Sequence, residues 1–196
     1  SARGRDYAFS FDWLIDAGLI YKVNLIPHGD KLPLSFYADE SDFKIYALDV
    51  GMLRQLAGLP SSVVIGDDNI WSNLGGAFAE NFLLQQLCSM GFTETYYWAN
   101  NTKIPNQPKG KSELDFIISD ENTIYPIEVK SGEQVKSPSL RIYRQKYNPE
   151  LSIRFSLKDL EYDEGLLNIP LYYSFLFRDL IKQKDKLSVS EFAFRK

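Results

Sequence analysis

Two hydrophobic periods alternate along this chain, and the switches between them outline its elements. Over residues 8–20, Phe9, Phe11, Leu14, Ile15 and Leu19 recur at helical spacing, with Gly18 near the end of the stripe. Tyr21 to Ile26 alternates apolar and polar and predicts a strand. A turn-rich stretch from Pro27 to Pro33 follows, and Leu34 to Ala38 predicts a return strand. Phe43 to Leu48 is apolar and aromatic; Asp49 is placed to cap a helix running to about Leu56, broken by Gly58-Leu59-Pro60. Val63 to Leu74 reads as a connection. Leu74 to Met90 is the strongest helical pattern, closed by Gly91 at the position after the helix.

Strands dominate the next part. Thr95 to Trp98 predicts one, and Asn100 to Lys111, polar with two prolines, predicts a long loop. Leu114 to Ile118 and Thr123 to Lys130 predict a hairpin around Ser119-Asp120-Glu121-Asn122, with Pro126 suited to an edge or an interrupted ladder. Ser137 or Ser139 caps a helix through Tyr147, stopped by Pro149, and Ser152 to Leu157 returns as a strand. That crossover helix favours parallel addition to the sheet. Asn168 to Arg178 is apolar, with a helix expected from Pro170, and Leu187 to Phe194 alternates weakly. The order predicts an α/β fold: a mixed sheet flanked by helices. The early helix and hairpin suit either the end of a winged-helix-like module or an element that joins another domain.

Composition narrows the class. The chain has 196 residues, 44% of them hydrophobic and 14% aromatic, enough for one sizeable core or one domain plus an appendage. A net charge of −4 argues against a generic nucleic-acid coat. A local imbalance is present between Lys130 and Lys158, where seven basic residues face only Glu133 and Glu150. Cys88 alone excludes an internal disulfide or a cysteine zinc cluster, and His28 sits in a turn. With no signal peptide and no apolar run of about 18 residues, no membrane partner is expected and a cytoplasmic setting is the default. The start at Ser1 reads as an excised piece of a longer protein.

The chemistry concentrates in Ile127-Glu128-Val129-Lys130 and in Asp115 on the preceding strand. Strand alternation lets Ile127 and Val129 face a core, while Glu128 and Lys130 share the other face. With the two strands paired antiparallel, Asp115 can lie opposite Glu128, and converging carboxylates repel unless something positive compensates. Mg²⁺ or Mn²⁺ suits such oxygen donors, with the Val129 carbonyl as a further ligand. Lys130 can hold an attacking water or neutralise charge on a phosphate. Glu80, an acid within an apolar helix, can add a metal ligand or hold metal-bound water. The chemistry implied is metal-dependent phosphodiester hydrolysis. Taken singly, Glu80 and Asp115 also read as solvated residues, and Glu128 with Lys130 as a surface pair.

The combination resembles the core of the PD-(D/E)xK nuclease superfamily. More narrowly, the chain resembles the carboxy-terminal DUF4143 domain of bacterial and archaeal AAA-type ATPases. The stretches that carry the likeness are Tyr46 to Leu53, Gly76 to Phe82, Tyr97-Trp98, Glu113 to Ile118 and Ile127 to Gly132. Ser139-Leu140-Arg141, Tyr147-Asn148-Pro149, Ile153 to Ser156 and Asn168 to Tyr172 follow in order. The resemblance implies a restriction-endonuclease-like mixed sheet flanked by helices, with Glu80 as the helix-borne acid, Asp115 and Glu128 as metal ligands and Lys130 as the catalytic lysine. Leu114-Asp115 stands where the superfamily name has Pro-Asp. It also implies an amino-terminal ATPase domain, which this chain lacks: no G-x-x-x-x-G-K-[ST] stretch is present. Residues 1–60 are then a winged-helix-like remnant or linking region, and 61–196 the nuclease-like domain.

DNA is the partner expected, with Arg141, Arg144 and Lys146 on the crossover helix as candidate phosphate contacts and an exposed helical face as the plainer alternative. The competing function is a non-catalytic docking, dimerisation or regulatory domain, built on aromatics such as Trp13 and Pro170 to Phe177. A homo-oligomer is compatible with either.

Overall fold

The computed structural model describes residues 7–60, 68–100, 112–132 and 136–183. The expected loop at 101–111 and the weak alternation from Leu187 to Phe194 lie outside the described residues. The strands are β1 (Ile20–Ile26), β2 (Asp39–Ala47), β3 (Tyr96–Asn100), β4 (Ser112–Asp120), β5 (Thr123–Val129), β6 (Ser152–Ser156), β7 (Glu161–Asp163) and β8 (Leu166–Pro170). They form one sheet in the order β2-β1-β3-β4-β5-β6-β8-β7. The helices are α1 (Ala8–Asp16), α2 (Val50–Leu56), α3 (Asp68–Ser89), α4 (Pro138–Tyr147) and α5 (Phe177–Lys182).

The sheet is mixed. The pairs β1–β2, β3–β4, β4–β5 and β7–β8 are antiparallel; β1–β3, β5–β6 and β6–β8 are parallel. The parallel β5–β6 pair bears out the crossover expected from α4. Pro126 sits opposite Ile117 of β4, just outside the β5–β6 ladder, which begins at Ile127. A residue with no N–H is tolerated there because the strand has no partner on that side.

Each face of the sheet buries its own cluster. Leu83, Leu84 and Leu87 of α3 and Phe177 and Ile181 of α5 pack on Phe116, Ile127 and Phe155. Leu140 and Tyr143 of α4 pack with Leu34 on Trp98, Leu114 and Ile117. Trp98 is fully buried, and Tyr143 meets it edge-on with ring centroids 5.2 Å apart. Helix, sheet and helix layers thus place α3 and α4 on opposite faces.

Local signals explain most boundaries. The Asp49 carboxylate accepts from the Met52 N–H at 2.7 Å, as a helix cap should. Gly91 takes φ +88°, and the Phe92 N–H bonds back to Leu87 O at 3.0 Å, closing α3. Glu121-Asn122 forms the tight β4–β5 turn, with Glu121 at φ +52°.

Three expectations are corrected. Leu34–Tyr37 is a 3-10 helix rather than a return strand, because Leu34 plugs a core cluster at 1% exposure. The return strand is β2, whose polar, exposed first residues hide it from a hydrophobicity reading. Helix α3 starts at Asp68, inside the expected connection, where few apolar residues mark its first turns. The segment after Pro170 begins as a 3-10 helix, Leu171–Leu176, before α5, and Asn168 to Pro170 belong to β8.

One buried side chain ties α3 to the sheet. Asn81, 1% exposed, accepts from the Ala47 N–H at 2.9 Å and donates to Ala47 O at 3.1 Å. Asn81→Ala is expected to cost about 2–4 kcal/mol in chemical denaturation, since it strands two buried backbone groups. A loss under about 0.5 kcal/mol would show that the clamp contributes no more than a surface contact.

Candidate functional site

The Asn81 clamp fixes where its neighbour stands. Glu80, half-buried, accepts a hydrogen bond from the Tyr46 hydroxyl at 2.9 Å. Burial and the Glu80 charge push the Tyr46 phenol far above its ordinary range, so it stays a donor. Helix α3 and strand β2 thereby bring one acid to the face of the sheet that α3 covers.

The second acid sits where the ladder is irregular. Between Tyr96 and Trp98 of β3 the register shifts: Tyr96 pairs with Ile117 but Trp98 with Leu114, so β4 carries one extra residue at Asp115-Phe116. Such a bulge re-aims a side chain. The β4–β5 register runs from Asp120 opposite Thr123 to Phe116 opposite Ile127, so Asp115 and Glu128 lie one residue beyond its last pair. Instead of a backbone rung, the Asp115 carboxylate takes the Val129 N–H at 2.7 Å.

Glu128 is 4% exposed. Its Oε1 pairs with Lys130 Nζ at 2.5 Å, while its Oε2 is buried with no hydrogen-bond partner among the described residues. The Lys130 N–H bonds to Phe155 O at 2.8 Å, fixing the strand end that carries both groups. Burial raises both carboxyls above their ordinary range. Glu128 and Glu80 push Asp115 further, whereas Lys130 pulls Glu128 back.

A further cation, missed by sequence reasoning, completes the electrostatics. Lys44 of β2 pairs with Glu113 at 2.5 Å and lies over the Tyr97 ring, 5.0 Å from its centroid. Its charge lowers the pKa of both Asp115 and Glu128. The signal was present: Lys44-Ile45-Tyr46 shows the same alternation as Glu128-Val129-Lys130, so Lys44 and Tyr46 share a face.

The basic residues of α4 are placed differently. Arg141 is exposed, Arg144 donates to Glu164 O, and Lys146 lies over the rings of Tyr147 and Trp98 at 4.9 and 5.7 Å. In a parallel crossover the helix runs back along the sheet, so Arg141 is nearer the Lys130 end than Lys146. Two of the three cations are thus engaged within the fold.

Glu80, Asp115 and Glu128 therefore act on one another electrostatically, and Lys130 joins them through its pair with Glu128. Among the described residues, no group of three or more His, Cys, Asp or Glu side chains is drawn together as a metal-holding set. Mg²⁺, however, is commonly held by one or two carboxylates with waters and phosphate oxygens. Asp115 and Glu128 supply oxygen donors of that kind, and the unpartnered Oε2 of Glu128 is a buried polar atom in need of a positive partner. In donor chemistry the pair fits Mg²⁺ or Mn²⁺.

A family model described as a domain of unknown function, DUF4143, matches residues 75–173, half of the chain. The chain belongs to the DUF4143 family, described as a carboxy-terminal domain of AAA-type ATPases related to PD-(D/E)xK nucleases. The matched span contains Glu80, Asp115, Glu128 and Lys130 but not Lys44, Tyr46 or the stretch up to Leu53, so it is narrower than the likeness read from sequence. No curated protein and no solved structure matches the chain. No helix of the described residues is long and apolar enough to cross a membrane.

The raised Asp115 carboxyl gives a signed pH dependence. The unfolded chain releases this proton near its ordinary value of 3.8, while the folded chain keeps it to higher pH. The folded state binds more protons across that window, so this group lowers stability as pH rises through it. With divalent cations chelated, Asp115→Asn is expected to melt about 2–4 °C above the parent at neutral pH, with the gain vanishing below pH 4. A variant less stable than the parent at neutral pH would show that the Asp115 charge is compensated within the fold.

Proposed function

We propose that this domain hydrolyses DNA phosphodiester bonds with Mg²⁺ or Mn²⁺, as the nuclease-like part of an AAA-type ATPase. The observation that carries this reading is the buried Glu128, held by Lys130 on one oxygen and unpartnered on the other, beside the loaded carboxyl of Asp115. Two carboxyls kept above their ordinary range destabilise the fold unless a cation enters. Relatedness of the family to PD-(D/E)xK nucleases supports it, and so does the three-layer sheet with its parallel crossover, which suits a restriction-endonuclease-like core. On this reading residues 61–196 form the nuclease-like domain. Residues 1–60 form the linking region, whose strands β1 and β2 extend the sheet.

Asp115 and Glu128 would hold the metal, with the Val129 carbonyl and Glu80 completing its shell directly or through water. When bound, the ion supplies Lewis-acid stabilisation of the phosphate and lowers the pKa of water. The remaining work falls to the chain. Lys130, anchored on Glu128, places a cation where negative charge grows on the phosphate. Tyr46 keeps Glu80 oriented through its hydroxyl. Lys44 offsets the local carboxylate charge while its own partner is Glu113. Arg141, exposed on α4, is the phosphate contact best placed to bind DNA outside the fold.

A docking role is the second reading, favoured by aromatics left in solvent around α1. Phe9 is 86% and Trp13 61% exposed.

The test is a Mn²⁺ titration followed by thermal melting, beside cleavage of duplex, single-stranded and branched DNA. Saturable Mn²⁺ is expected to raise the melting temperature by about 5–11 °C at a hundredfold excess over Kd, and Glu128→Gln to abolish the rise. Metal-dependent cleavage should fall at least about a hundredfold in Glu128→Gln and in Lys130→Met. A parent that neither gains stability from Mn²⁺ nor cuts any substrate would refute hydrolysis and leave the docking role.

A further inference from the structure

We infer that a cleft beside the acid site receives one unstacked nucleobase of the DNA whose phosphate that site engages. This deepens the hydrolysis reading and rests on it. The cleft, about 650 Å³, lies between α2, α3 and the 3-10 helix that follows β8. Ligand pockets span about 300–1,000 Å³, so a base with part of its sugar fits easily. Its wall includes Ala79 and Ser131, the chain neighbours of Glu80 and Lys130, which places the cleft beside the acid site.

The lining has the chemistry of a stacking platform. Phe78, Phe82 and Tyr172 bring aromatic rings, and Arg54 brings a cation fixed by its bond from Nη1 to Leu59 O at 2.7 Å. Rings bind any base through its face, and guanidinium planes add to the stack. An apolar peptide would be drawn to the rings, but Arg54 in the wall favours an anionic chain whose bases are flat and aromatic. A base inside a duplex is already stacked, so entry requires that it leave its neighbour. The substrate class is therefore DNA with unpaired bases next to the phosphate cut: single strands, flaps or frayed ends.

The probe is fluorescence anisotropy of the 196-residue chain with two labelled DNAs, a blunt duplex and the same duplex bearing an unpaired tail. The tail is expected to tighten binding about tenfold. Tyr172, 59% exposed, can be replaced without emptying the core. Tyr172→Ala should erase the gain and leave duplex binding unchanged, while Tyr172→Phe should keep it, which a general loss of folding could not produce. No advantage for the tail overturns the cleft, as does an advantage that survives in Tyr172→Ala, or a cleft filled by an apolar peptide that DNA cannot displace. Equal metal-dependent cutting of blunt and tailed DNA overturns the cleft while hydrolysis stands. A Tyr172-dependent tail preference without any metal-dependent cutting supports the cleft and removes hydrolysis.

Discussion

Electrostatic tension between buried carboxyls is the constraint around which this fold is arranged. Burial raises Asp115 and Glu128 most, Glu128 and Glu80 push Asp115 further, and Glu80 also makes Glu128 harder to ionise. Every strong polar contact nearby relieves some of that tension: the Val129 N–H on Asp115, the Lys130 ammonium on Glu128, the Tyr46 hydroxyl on Glu80. Even so, one oxygen of Glu128 is left without a partner among the described residues. A fold that only needed stability would have placed apolar side chains here.

The surrounding architecture makes that arrangement rigid. Two independent clusters, one on each sheet face, grip β4 and β5 between α3 and α4. The strands that carry Asp115 and Glu128 cannot slide without exposing Phe116, Ile117 or Ile127, all fully buried. Asn81 then sets α3 against β2, so the height of Glu80 follows from a backbone clamp one residue away. Stability and site geometry are thus served by the same contacts.

Legibility in the sequence followed the strength of local signals. The α2 cap at Asp49, the end of α3 at Gly91, the β4–β5 hairpin and the parallel return through α4 were all readable, because capping chemistry, turn residues and strand alternation act over a few residues. The β2 strand was not, because its polar start lacks the alternation that marks a half-buried strand, and the Leu34 segment mimics a strand while forming a 3-10 turn. Among the candidate phosphate contacts, α4 was placed correctly but the engagement of Arg144 and Lys146 depended on Glu164, Trp98 and Tyr147, which no local pattern names.

The sequence by itself determined which chemical groups are available and on which elements they ride: an acid on a helix, an acid on one strand, an acid and a lysine two residues apart on the next. That much is local, since period and capping are properties of neighbouring residues. Only the tertiary structure decided what those groups do to each other. The bulge that re-aims Asp115 arises where β4 pairs with β3, and the phenol of Tyr46 on Glu80 and the charge of Lys44 reach the site from β2. Those contacts join residues far apart in the chain, 34 positions from Tyr46 to Glu80, and depend on sheet order and register, which long-range packing sets.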